Sequence, residues 1–123
     1  MLARAMHLTQ AILFVDDVPR AVVFYRDLLG LRVISEEPGW VRLGGGGAVL
    51  ALHAIPHRGA ASAPAAPRVS SPHKLCFHSD DVDSERARLI AAGVAMRDVH
   101  RYSEVTFCDG VDPEGNVFQI TTY

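Results

Sequence analysis

Cysteine is scarce in this chain and tryptophan scarcer: two thiols, Cys76 and Cys108, and one indole, Trp40, among 123 residues. No Cys-x-x-Cys spacing occurs, which favours unpaired thiols over a disulfide or metal pair. Both thiols fall in strand-like stretches and read as buried, reduced residues of a cytoplasmic protein. An excess of one charge is also missing. A net charge of −2 and a pI near 6.3 give no footprint for nucleic acid or an anionic membrane. The longest apolar runs, at 11–15 and 48–52, are five residues long, against the roughly 20 that a membrane helix needs. The opening Met-Leu-Ala-Arg-Ala-Met-His has no long apolar stretch with a cleavage site, so no secretory leader is expected. The expectation is a cytoplasmic protein with neither nucleic acid nor membrane as partner.

What the sequence does contain is a statement made twice. An apolar strand, Asp16-Asp17-Val18 and a helix ending at Gly30 recur as a second apolar strand, Asp80-Asp81-Val82 and a helix ending at Gly93. The two triplets lie 64 residues apart, about half the chain. Two copies mean an internal duplication rather than a solenoid, which needs three or more repeats. Two like halves packed together create a cleft, and clefts host small-molecule chemistry.

Each half reads as βαβββ. In the first, a strand at about 9–15 precedes a helix capped by Asp17, with Pro19 in the first turn and Gly30 as its left-handed stop. Ala21, Phe24, Tyr25, Leu28 and Leu29 fall at helical spacing and predict one apolar face. Strands follow at 31–35, 39–43 and 48–53, with residues 44–47 as a hairpin turn. The second half predicts a strand at 74–79 and a helix at 82–92 capped by Asp81. Strands are then expected near 94–99, 103–109 and 116–122, with Asp112-Pro-Glu-Gly-Asn as the last turn. The whole is read as one domain over 1–123, with module one at 7–53 and module two at 73–123. Between them residues 54–72, crowded with Ala, Pro, Ser and Gly, form a linker by composition.

Strand alternation divides the side chains. Ala11, Leu13, Val15, Leu50, Leu52, Leu75, Phe77, Phe118 and Ile120 form a uniformly apolar set, expected beneath the helices. Gln10, Ile12, Phe14, Val49, Ala51, His53, Lys74, Cys76, His78, Val117, Gln119 and Thr121 form a mixed set, expected on the concave side. Polar groups pointing into a concavity call for a partner, a water or a ligand.

Taken together, Phe14 through Leu31, Phe77-His-Ser-Asp-Asp-Val-Asp through Ala92-Gly-Val, and Asp112-Pro-Glu-Gly-Asn-Val-Phe-Gln-Ile resemble the vicinal oxygen chelate superfamily. That superfamily holds glyoxalase I, bleomycin-resistance proteins, extradiol dioxygenases and fosfomycin-resistance enzymes. The resemblance implies an α+β fold in which two βαβββ modules form a curled mixed sheet with helices outside. It also implies a homodimer and a site in the concavity. In metal-using members the divalent ion is held on inward positions of the first and last strand of each module, which here carry Gln10, Ala51, Lys74 and Gln119. Lysine is a cation with no acceptor, alanine has no donor atom, and two neutral glutamines cannot offset a doubly charged ion. If a bulge at the strand start brings His73 into the slot, then Gln10, His53, His73 and Gln119 make an alternative set for zinc, nickel, manganese or iron.

Two readings of function therefore stay open. In the first, the protein binds a small molecule in the concave cleft of a dimer without a tightly held metal, using Gln10, Phe14, Trp40, His53, Lys74, His78, Gln119 and Thr121. Lys74 attracts an anionic group and the aromatic side chains stack on an apolar body. In the second, it is a divalent-metal-dependent lyase, isomerase or dioxygenase in which the ion polarises two vicinal oxygens. A third possibility is a vestigial module used only for dimer contacts. Trp40 with Arg42 on one strand face reads as an aromatic wall with a charged anchor, or as ordinary packing with a surface arginine. Glu104 reads as a solvated carboxylate, and no role follows for His57 or His100. The glycine run at 44–47 lacks the Gly-Lys-Ser/Thr ending of a phosphate loop. No nucleophile–base arrangement can be assembled.

Overall fold

A computed structural model describes residues 6–55 and 72–123. Most of the expected 54–72 linker, and His57 within it, lies outside those residues. The chain divides near residue 60 into two compact units.

In unit one, β1 (Gln10–Val15) leads into a helix that begins as α1 (Val18–Val22) and continues as a wider π-helical stretch (Val23–Leu28). The Asp17 carboxylate accepts the Arg20 amide at 3.0 Å, the expected cap, and Gly30 takes the expected positive φ of 82°. The π stretch corrects the 3.6-residue expectation. The Leu29 amide reaches back five residues to the Phe24 carbonyl at 3.1 Å. That extra residue per turn rotates the following side chains, so the buried set is Val18, Ala21, Val22, Phe24 and Tyr25, while Leu28 and Leu29 are only half-buried. Phe24 and Tyr25 meet edge to face, ring centres 4.9 Å apart.

The unit continues with β2 (Arg32–Glu37), β3 (Trp40–Gly44) and β4 (Val49–Ala54), in the order β1-β4-β3-β2. β1 and β4 run parallel; the other neighbours are antiparallel. Ile34 is an extra residue in β2, where the register slips between Val33 and Ser35. The crossover from β1 to the far edge carries the helix over one face, where it packs on β3 and β4. Val15, Val41, Leu43, Leu50 and Leu52 are buried on that face.

Unit two repeats the plan: β5 (Leu75–His78), α2 (Val82–Ala91), β6 (Ala95–Met96), β7 (His100–Tyr102), β8 (Val105–Val111) and β9 (Val117–Thr121). The sheet order is β5-β9-β8-β6, with β7 also on β8. Asp81 caps α2 by accepting the Ser84 amide at 3.0 Å, and Gly93 follows at φ 90°. The strand expected at 94–99 is instead two short ones. Pairing shifts by one residue between Met96↔Gly110 and His100↔Phe107, and the Arg97 amide bonds the Asp109 carbonyl across the gap. His100 is thereby a strand residue. The last turn is as expected: buried Asp112 accepts the Glu114 and Asn116 amides at 2.9 and 2.8 Å, and Gly115 takes a φ of 85°. Gly110 is a glycine for packing reasons, because a Cβ there would overlap Met96 Sδ and lie 2.7 Å from Phe118 Cζ.

Strand phase follows the alternation at most positions, but Ala11, expected beneath the helix, is exposed, and Ala51 and Thr121, expected on the open face, are buried. Leu50, Leu52, Phe118 and Ile120 are buried on the helix faces, while Ile12, Phe14, Cys76 and His78 are exposed on the opposite ones.

Candidate functional site

The polar face of unit one is set by register. Parallel pairing places Ile12 opposite Ala51 and Phe14 opposite His53, and antiparallel pairing places Trp40 opposite His53 and Arg42 opposite Ala51. One row thus runs Phe14, His53, Trp40, with the His53 ring 5.3 Å from Phe14 and 5.4 Å from Trp40. His53 Nδ1 lies 2.6 Å from the Ala54 carbonyl. In the neutral ring that contact puts the proton on Nδ1 and leaves the Nε2 lone pair for an acceptor role. One row away, Arg42 Nε donates to Gln10 Oε1 at 3.3 Å. Arg42 makes no ion pair among the described residues. Glu37, on the exposed edge strand, is the register partner of Trp40.

Unit two presents a closed network instead. Lys74 Nζ donates to Asp109 Oδ2 at 2.9 Å, and Gln119 Nε2 donates to Asp109 Oδ1 at 3.1 Å. Cys76 sits beside them, its thiol 3.8 Å from Gln119 Oε1. Cys76 is exposed, which corrects the expectation of two buried thiols; Cys108 is buried, and both are free. Desolvation pushes the Cys76 thiol above its ordinary range, only partly offset by the Lys74 charge, so it stays a thiol at neutral pH rather than a nucleophile. His78 is held at both nitrogens, Nδ1 2.6 Å from the Tyr123 carbonyl and Nε2 3.0 Å from Asp80. Those contacts, the Tyr123 carbonyl first, raise its pKa above the ordinary histidine value. Thr121 is buried, and its hydroxyl accepts the Tyr123 amide at 3.3 Å.

Of the eight ligand-binding candidates, Gln10, Phe14, Trp40 and His53 thus share one face of unit one. Lys74, His78, Gln119 and Thr121 belong to unit two, but His78 and Thr121 are engaged by their own C-terminal strand. Three residues with a claim on these faces were not in the sequence-based set. Arg42 was weighed only as a companion of Trp40. Asp109 is found from the turn centred on Glu114, which sets it opposite Gln119. Phe107 stacks between His100 (5.3 Å, 28°) and Tyr102 (6.2 Å, 10°), a ladder invisible until β7 is recognised. Glu104 is exposed in the β7–β8 turn.

The four positions that the resemblance assigns to a divalent ion do not suit one. Gln10 turns its oxygen to a guanidinium, Ala51 has no donor, and Lys74 brings an ammonium to the carboxylate beside Gln119. β5 pairs with β9 in register from Leu75 onward, and Lys74 is the residue that reaches Asp109. Among the described residues, no three His, Cys, Asp or Glu side chains gather as a metal would require. Nor is any described helix long and apolar enough to cross a membrane.

Comparison with known proteins agrees with this architecture. A search of curated proteins finds no significant match. Among solved structures, an integron cassette protein from the mobile metagenome of V. Cholerae is 27% identical, with a TM-score of 0.73 over 100% of this chain and 99% of that one. Lactoylglutathione lyase from Agrobacterium tumefaciens is 25% identical, with a TM-score of 0.72 over 97% and 95% of the two chains. An antibiotic binding protein from Streptomyces sp. CB03234 is 24% identical, with a TM-score of 0.70 over 97% of each. A family model matches residues 5–120, nearly the whole sequence. The duplicated βαβββ plan, the paired Asp-Asp-Val caps and that match together make this chain a member of the Glyoxalase/Bleomycin resistance protein/Dioxygenase superfamily.

Proposed function

We propose that this protein binds a small organic molecule on the polar faces of its sheets, without a tightly held divalent ion, and works as a homodimer in the cytoplasm. The observation that carries the reading is the company kept by the would-be metal positions. Both glutamines are already committed to charged side chains of their own unit, Gln10 to Arg42 and Gln119 to Asp109. What remains open is an organic surface: the exposed ring of Phe14, half-buried Trp40, and His53 Nε2. Apolar rings flanked by a few oriented polar atoms are the usual lining of a small-molecule site. The exposed Ile12, Phe14 and Ile34 side chains supply apolar surface that a second copy or a ligand covers. Two free thiols fit a reducing compartment.

A thermal-shift panel of metabolites and antibiotics, run with and without chelator, tests this. A ligand at a hundredfold excess over its Kd stabilises by about 2.7 kcal/mol, enough to read as a clear shift in Tm. The proposal expects at least one organic ligand whose shift is indifferent to chelator. A shift that appears only with added zinc, nickel, manganese or iron points instead to the metal-dependent lyase, isomerase or dioxygenase. No shift from any compound reduces the chain to a dimer module.

A further inference from the structure

We infer that the ligand is an aromatic acid, and that Arg42, not Lys74, takes its carboxylate. This rests on the small-molecule reading and adds the chemical class. The two cations of the polar faces differ in what already holds them. The Lys74 ammonium is bonded to Asp109 at 2.9 Å, so its charge is met within unit two and an incoming anion competes with a carboxylate in place. Among the described residues, the Arg42 guanidinium is met only by a neutral amide oxygen, on one of its nitrogens, at 3.3 Å. Its Nη1 and Nη2 hydrogens have no acceptor among the described residues. A half-buried guanidinium in that state has a planar pair of donors that matches a carboxylate in two-point contact.

The surroundings select the rest of the molecule. Arg42 sits opposite Ala51, whose small side chain raises no wall beside it, and the next row along the strands is Phe14, His53 and Trp40. Successive same-face residues on a strand lie about 7 Å apart, which is the span from a carboxylate carbon to the far edge of one or two fused rings. A ring attached to the carboxylate therefore reaches the Trp40–His53–Phe14 row, where it meets aromatic faces, while His53 Nε2 accepts from a ring hydroxyl or amine. Gln10 accepts from Arg42 Nε alone and so leaves the two Nη groups to the ligand. Glu37, on the exposed edge strand beside Trp40, repels a second negative group there and favours a monoacid.

The experiment is calorimetric titration of the full chain with three matched probes: 2-naphthoate (ring and charge), 2-naphthamide (ring alone) and acetate (charge alone). The inference expects naphthoate to bind at least tenfold more tightly than either of the others. In Arg42→Gln, shown to be folded by circular dichroism, naphthoate falls to the level of naphthamide while naphthamide is unchanged; Arg42→Lys retains part of the preference. The loss expected for a two-point charge-assisted contact is about tenfold to a hundredfold. Naphthamide binding as tightly as naphthoate, or a carboxylate preference that survives Arg42→Gln, overturns the inference and leaves the small-molecule reading intact. If neither aromatic probe binds, this ligand class is wrong, and the broader panel decides the reading beneath it. Because Trp40 is the single tryptophan, a change in its fluorescence on probe binding places the probe on this face; binding with no such change also overturns the inference.

Discussion

The two units share a plan and differ in what fills equivalent positions. Strands β3 and β4 of unit one correspond to β8 and β9 of unit two. Where unit one packs Leu43 against Leu50, unit two packs Gly110 against Phe118, and Leu43 and Phe118 are each fully buried. One ring takes the room of two branched side chains. On the other face, Trp40 and Arg42 of unit one stand where unit two has Phe107 and Asp109. Gln10 of β1 corresponds to Lys74, which precedes β5. The same backbone thus carries an open cation in one copy and a closed ion pair in the other. Duplication fixed the scaffold, and divergence on one face of each sheet set its chemistry.

The largest expected effect comes from forcing unit two to pack like unit one. Gly110→Leu overlaps Phe118 and Met96 and is expected to cost about 3 kcal/mol or more, read as a loss of Tm. Adding Phe118→Leu, which recreates the Leu43–Leu50 pair, is expected to recover at least half of that loss. Failure of the double variant to improve on the single one breaks the equivalence of the two hairpins. A middle-sized effect separates the polar faces. Asp109→Ala removes the acceptor shared by Lys74 and Gln119 and is expected to cost about 1 kcal/mol, or roughly 3–5 °C in Tm. Arg42→Gln, losing a single 3.3 Å contact to a neutral group, is expected to shift Tm far less. Equal losses in the two variants contradict the contrast between an open and a closed cation.

The smallest effect is a titration. His78 in the folded chain has a raised pKa because the Tyr123 carbonyl and Asp80 favour the protonated ring. Its contribution to stability is therefore complete below the unfolded histidine value of about 6.5 and is lost as pH rises through the folded value. NMR titration is expected to put the His78 midpoint above the unfolded histidine value, and Asp80→Asn is expected to lower it. A His78 midpoint at or below the unfolded value, or one that Asp80→Asn leaves in place, contradicts the assignment.

Much of this was legible in the residues. The Asp-Asp-Val repeats announced both caps, the glycines announced both helix ends, and alternation separated helix faces from polar faces, because each signal is local. What escaped depends on partners distant in sequence. The π stretch accompanies the burial of both Phe24 and Tyr25, neighbours that a single helical periodicity does not place together in the core. The exposure of Cys76 follows from its pairing with Gln119 on the polar side. The neutralisation of Lys74 depends on Asp109, which the register of β8 against β9 sets opposite Gln119. The same dependence left Lys74, rather than Arg42, as the expected anchor for an anion.

The central claim is that the positions a divalent ion needs are taken by the chain's own cations. Elemental analysis of the protein, purified without a histidine tag or added metal and then dialysed against zinc, nickel, manganese and iron, addresses it directly. The account predicts well under one tenth of an ion per chain for each metal, before and after loading. A near-stoichiometric ion that is lost on His53→Ala or Gln119→Ala would contradict it.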